Sequence, residues 1–220
     1  MTDPEGAPTV RRRGRPGGLA GAELLSEARG ILLRDGYAAT TMDAVAAAAR
    51  ISKQTLYRHY ASKEALFSAV VADWVDQGRE AMRPHLDRLA RTEDVRLGLA
   101  EFAGVLHAGV LSEPVVRMRS LVIAEAERLP EVAADYRRRS WDRNERLLAD
   151  VIGHLSARGL LDADDSIAAA RQFTWLVLGA PLDRLTLTAG AGRFSPAELS
   201  DIASEAVDTF LARYGSSALH

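Results

Sequence analysis

Residues 40–66 read TTMDAVAAAARISKQTLYRHYASKEAL, and this stretch decides the fold. Thr40 or Thr41 can cap a helix, and Thr40 with Asp43 has capping-box spacing. Met42 to Arg50 then forms a compact Ala-rich helix. Ile51 and Ser52 make a tight turn, and Ser52 caps a second short helix over Lys53 to His59. On that helix Leu56 and Tyr60 share one face at i, i+4. Lys53, Gln54, Thr55, Tyr57, Arg58 and His59 are left for other faces. A helix of this kind packs through one narrow apolar edge and shows water a dense set of donors. This is the pattern of a helix-turn-helix whose second helix enters a major groove.

Working outward, residues 1–20 are rich in Pro, Gly and Arg and are predicted to be a flexible basic arm. A first helix is predicted from Gly21 to Asp35, with Leu24, Ala28, Ile31 and Leu32 as its apolar stripe and Gly36 as its stop. A fourth helix runs from Ser62 to about Met82, before Pro84, with Leu66, Val70 and Trp74 at i, i+4, i+8. Five more helices follow: Thr92–Val110, Pro114–Arg128, Pro130–Arg158, Asp164–Thr188 with a kink at Pro181, and Ser195–Tyr214. No period-2 pattern and no internal repeat is present. The prediction is an all-α chain of about nine helices. It divides into an arm (1–20), a helix-turn-helix domain (21–66) and a larger helical domain (67–220).

Composition narrows the function. The chain has 220 residues, no Cys and a net charge of −2. Disulfides and thiolate metal sites are therefore impossible. Residues 1–64 carry a charge of +3 and the rest −5. A basic head on an acidic body suits a protein that touches nucleic acid at one end. There is no Gly-rich phosphate loop and no HExxH, and the five histidines are scattered. Catalysis, a metal or a cofactor is not expected. Without a membrane-length apolar run or a signal-peptide core, a cytoplasmic protein without membrane contact is expected.

The segment 40–66 strongly resembles the DNA-binding domain of the TetR family of transcriptional regulators. The resemblance rests on Thr40-Thr41, the Ala-rich helix, Thr55-Leu56-Tyr57, His59-Tyr60 and Ser62-Lys63-Glu64 with Ala65-Leu66. It covers about residues 20 to 66. Arg50 departs from it, because that turn position is usually Gly in the family. The segment RMRSLVIAEAERLPEVAADYRRR, residues 117–139, is more loosely similar to the C-terminal domain of AefR-like members.

Together these readings assign DNA contact to Thr41, Lys53, Gln54, Thr55, Tyr57, Arg58, His59 and Lys63. Lys53, Gln54 and Thr55, on the first turn, would face base edges. The resemblance gives Tyr57 and His59 to phosphates. Thr41 and Lys63 sit at helix N-termini, which favour a phosphate. Arg13 and Arg15, in the Arg11–Pro16 run, resemble an AT-hook core that would lie in the minor groove. The alternative for that run is a basic tail that adds only salt-dependent affinity.

The run Phe173–Leu182 is apolar all round, so both sides of its helix should be covered. In the family the last two helices form a four-helix dimer interface. That assigns Trp175, Leu178, Leu182, Ile202, Ala206 and Phe210 to a homodimer contact. Trp74, Phe102, His107, Met118, Trp141 and Phe173 lie on inward stripes of different helices and are candidates for an apolar effector pocket. Residue by residue, plain core is the simpler reading of each. The expected function is a homodimeric regulator, most simply a repressor, bound to a palindromic operator and released by a small apolar or amphipathic ligand. The alternative is a dimeric helical interaction module with a vestigial head.

Overall fold

The computed structural model describes residues 21–188 and 190–216. Among these, regular structure is helical throughout, apart from one bridge between Leu161 and Gly215. The helices are α1 (Ala22–Ala39), α2 (Met42–Ala48), α3 (Lys53–His59), α4 (Lys63–Ala90), α5 (Val95–Val110), α6 (Glu113–Ala124), α7 (Pro130–Arg137), α8 (Arg143–Ala157), α9 (Ser166–Leu187) and α10 (Pro196–Tyr214). A π-helical turn, Arg138–Asp142, joins α7 to α8. Those two and the turn make the single long rod expected from the sequence. The Ser140 hydroxyl donates to the Tyr136 carbonyl at 2.6 Å. A side chain competing for the helical ladder in this way accompanies such local widening.

Two buried clusters organise the molecule. The first joins Leu24, Ala28, Ile31 and Leu32 of α1 to Val45 of α2, Leu56 of α3, and Leu66, Phe67 and Val70 of α4. It continues into Met118 and Val122 of α6 and Val132 of α7. The small N-terminal bundle is thus seated on α6 and α7 and shares their core. The second cluster packs α5, α8, α9 and α10 around Phe102, Phe173 and Phe210. Phe173 lies 6.4 Å from Phe102 in a stack and 5.2 Å from Phe210 edge-on. Both separations fall in the favourable range for aromatic pairs.

α4 belongs to both clusters. Its 28 residues span roughly 40 Å. The sequence predicts an end near Met82, but the helix runs through Pro84 to Ala90. Pro84 removes one ladder hydrogen bond. Leu86 and Leu89 beyond it are buried in the second cluster, and that burial holds the helix past the break. Other boundaries shift by a few residues where a side chain captures the helix start. Asp94 accepts from the Leu97 amide at 3.0 Å, so α5 begins at Val95 and not at Thr92. Ser195 and Glu198 form a reciprocal capping box that fixes the start of α10.

Gly36 breaks α1 as expected, at φ 80° and ψ 169°. The chain resumes a short helical turn to Ala39, which delivers Thr40 and Thr41 to α2. Pro181 lies inside α9, which continues to Leu187.

Candidate nucleic-acid interface

Each short helix of residues 40–66 is set by a local cap. Thr41, not Thr40, caps α2, its hydroxyl accepting from the Ala44 amide at 3.1 Å. Thr40 is buried and donates instead to the Gly36 carbonyl at 2.7 Å. After α2 the Ile51 amide returns to the Ala46 carbonyl at 3.0 Å and the Arg50 amide to Ala47 at 3.1 Å. This is a Schellman closure, and it places Arg50 at φ 56°. The position thus needs the left-handed conformation that glycine adopts freely, at a cost to Arg of about 1 kcal/mol. Ser52 caps α3 through the Thr55 amide at 3.0 Å, and its hydroxyl is 2.8 Å from that of Thr55.

Leu56 is fully buried and anchors α3, with Tyr60 half-buried beyond it. Lys53, Gln54, Tyr57, Arg58 and His59 are exposed, Thr55 is half-buried and Thr41 is exposed. One apolar edge therefore faces inward and the polar set faces out along a single short helix. Tyr57 leaves 42% of its surface in water.

The two lysines are already engaged. Lys53 Nζ lies 2.8 Å from Asp43 Oδ1, which raises its pKa through the hydrogen bond to that carboxylate. Lys63 Nζ donates to the Ala38 carbonyl at 3.1 Å and sits 4.4 Å over the Tyr37 ring. Tyr37 in turn donates to Glu64 Oε1 at 3.1 Å, and Arg128 lies 5.5 Å over its ring. Burial first, then the Glu64 contact, push the Tyr37 hydroxyl up to about 12. The opposite shift at Glu64 comes first from its own amide at the start of α4. Tyr37 thus locks the end of α1 to the head of α4. Sequence reading missed this knot, because nothing local marks Tyr37 as the meeting point of three elements.

It also read Asp43 only as a possible cap partner. In the fold Asp43 holds Lys53 across the α2–α3 angle. A carboxylate on this face repels phosphates and occupies a cation that would otherwise meet them. We therefore expect Asp43→Asn to raise affinity for random duplex DNA and to steepen its salt slope by about 0.9 per freed lysine. Fluorescence anisotropy on a random-sequence duplex over a salt series checks this. An unchanged slope would leave the pair without a role in binding. Arg13 and Arg15 lie outside the described residues.

The six candidate effector residues do not converge. Phe102 and Phe173 stack inside the second cluster, and Met118 is fully buried in the first. Trp74 is half-buried beneath the Arg29 guanidinium, 4.5 Å from its ring. Trp141 stacks on Trp175 at 5.1 Å and 10°. His107 is buried with Nε2 2.9 Å from the Val177 carbonyl, and it borders two clefts of about 490 and 630 Å³. Phe102 borders a third.

The residues assigned to a dimer contact also divide. Leu178, Leu182, Ala206 and Phe210 are buried within the single chain. Trp175 and Ile202 retain exposed surface. Beside them Leu176 and Leu187 of α9 are 39% and 78% exposed. On α9 periodicity could not separate these sets, since apolar residues surround the helix over Phe173–Leu182 and its one polar side chain, Thr174, is itself buried.

A capped α2, a tight turn and a polar-faced α3 on a helical base define a helix-turn-helix DNA-binding protein. Residues 24–70 match the bacterial regulatory proteins of the tetR family, and residues 97–216 match the C-terminal domain of AefR-like transcriptional repressors. The chain belongs to the TetR family and is a DNA-binding transcriptional regulator. A solved structure from Mesorhizobium loti, assigned to the same family, is 31% identical with a TM-score of 0.85, covering 88% of this chain and 95% of that one. The flavonoid-responsive regulator FrrA is 26% identical with a TM-score of 0.70, over 87% and 95% of the two chains. A TetR-family regulator from Pseudomonas syringae, 24% identical with a TM-score of 0.68 over 87% and 95%, shares the fold. No curated protein matches. No single helix among the described residues is long and apolar enough to cross a membrane.

Proposed function

We propose that this regulator is a homodimeric repressor that binds a palindromic operator through two copies of residues 21–66. The body, 67–220, would carry dimerisation and the response to a small apolar or amphipathic effector. The observation that carries the reading is the geometry of α3. Its buried Leu56 leaves Lys53, Gln54, Tyr57, Arg58 and His59 in solvent on one seven-residue helix. Thr41 caps α2 beside it, and Thr55 braces the cap of α3. In this reading Gln54 and Lys53 meet base edges, while Tyr57, His59 and Thr41 meet phosphates and Arg58 meets either. Lys63 would have to exchange the Ala38 carbonyl for a phosphate. The outer face of α9, with Leu176 and Leu187, supports pairing with a second copy. That FrrA, which shares this fold, is flavonoid-responsive supports a small organic effector.

Operator binding should be steeply salt-dependent, with a log–log slope on the order of −5 or more for two heads. Gln54→Ala should weaken the preferred operator, recovered by selection from genomic fragments, by about 1–3 kcal/mol beyond its effect on random DNA. Anisotropy titrations on both duplexes test this. A slope near zero, or equal losses on the two duplexes, would refute the assignment of α3 as the reading helix.

A further inference from the structure

Between the N-terminal bundle and the body lies the cleft of about 490 Å³. Leu33 and Gly36 of α1 line one wall, Leu121 and Ser120 of α6 a second, and Leu111 and Phe194 close the floor and rim. Its apolar residues Leu33, Leu111, Leu121 and Phe194 are each only half-buried. Four elements thus leave aliphatic and aromatic surface uncovered toward one space. The Ser120 hydroxyl in its wall is buried without a hydrogen-bond partner.

The mouth is charged. Glu113 bridges two guanidinium groups, with Arg193 at 3.2 Å and Arg117 at 3.6 Å. All three line the cleft. Two cations against one carboxylate leave one positive charge unmatched. A groove of this volume with an apolar floor and a cationic rim is suited to an amphipathic guest with one negative end.

We propose that this junction cleft is the effector site and that its ligand is an amphipathic organic monocarboxylate. The tail would cover Leu33, Leu111, Leu121 and Phe194, and the carboxylate would take the guanidinium capacity that Glu113 leaves free. The inference rests on the reading of the chain as an effector-released regulator and names the site and the ligand class. The cleft differs from the aromatic set singled out in the sequence, of which only His107 borders it. Its position explains how occupancy reaches DNA. Gly36 is where α1 breaks before Tyr37, Thr40 and Thr41, so a guest wedged there acts on the segment that seats α2.

The test uses the full-length protein with sodium decanoate and 1-decanol as probes, below the micellar range, by calorimetry and by competition on the selected operator. Decanoate is expected to bind and to weaken operator affinity by roughly 5- to 150-fold. In the double variant Arg117→Gln, Arg193→Gln, the ratio of decanoate to decanol affinity should fall about tenfold, with decanol unchanged. Leu121→Trp, which fills the cleft, should abolish binding of both. No binding of decanoate, or the same ratio in the glutamine variant, overturns the proposal. If Leu121→Trp does not fold, the glutamine variant, altered only at exposed positions, decides alone. Operator binding without decanoate binding refutes the site and leaves the regulator reading standing. Decanoate binding with no operator found for the protein refutes the effector-released repressor reading and leaves the cleft.

Discussion

Leu176→Glu and Leu178→Glu, two residues apart on α9, should fail in different ways. Leu178 is 1% exposed and sits in the core with Phe173 and Val177. A carboxylate there has no partner, and burying an unpaired ionised group costs several kcal/mol even after relaxation. Total stability is on the order of 5–15 kcal/mol, so Leu178→Glu should leave little folded protein at 25 °C. Circular dichroism and thermal melts check this directly. Leu176 points about 200° away around the helix, together with Leu187, which lies on the same side and is 78% exposed. Leu176 is 39% exposed, so a charge there keeps contact with water and costs the single chain far less. It should instead split the proposed homodimer and lower operator affinity on the order of 10²- to 10⁴-fold, because a second head would no longer bind as part of one molecule. Sedimentation would show a folded monomer at micromolar concentration. A dimer that survives Leu176→Glu would move the contact off this face.

Phe173→Ala should be the most damaging neutral substitution in the body. Phe173 is fully buried between Phe102 and Phe210, on the helix that links the second core to the outer face. Truncation removes the transfer free energy of the ring and leaves a cavity that two neighbouring rings cannot collapse into. The expected loss is about 3–5 kcal/mol. For a chain of this length that lowers Tm on the order of 10 °C. Operator affinity of the folded fraction at 25 °C should be nearly unchanged, since Phe173 is remote from α3 in the fold. A small change in Tm would mean that the Phe102–Phe173–Phe210 cluster is looser than its geometry implies. A large loss of operator affinity without a loss of stability would mean that the cluster couples to the head.

The sequence by itself determined much of this protein. Caps and breakers are local: Ser52 and Ser62 start helices, Gly36 stops one, and the i, i+4 pair Leu56–Tyr60 orients α3. Each depends on residues within a turn of one another, so α3 could be read to the residue and the helix-turn-helix with it. Arg50 stood out only through the family resemblance, which puts Gly at that turn position, and the structure places it in the left-handed region at φ 56°. Only the tertiary structure decided the rest. Whether Leu178 or Leu176 faces the core depends on which neighbours α9 meets, and a run with apolar residues all round the helix carries no phase. α4 outlasts Pro84 because Leu86 and Leu89 find a core made by distant helices. Lys53 meets Asp43, and Lys63 meets Tyr37 and the Ala38 carbonyl, only because the short helices cross at angles that no local spacing encodes. The junction cleft belongs to this second kind: it is space between α1, α6 and the α9–α10 connection, and empty space between elements leaves no periodic mark on the chain.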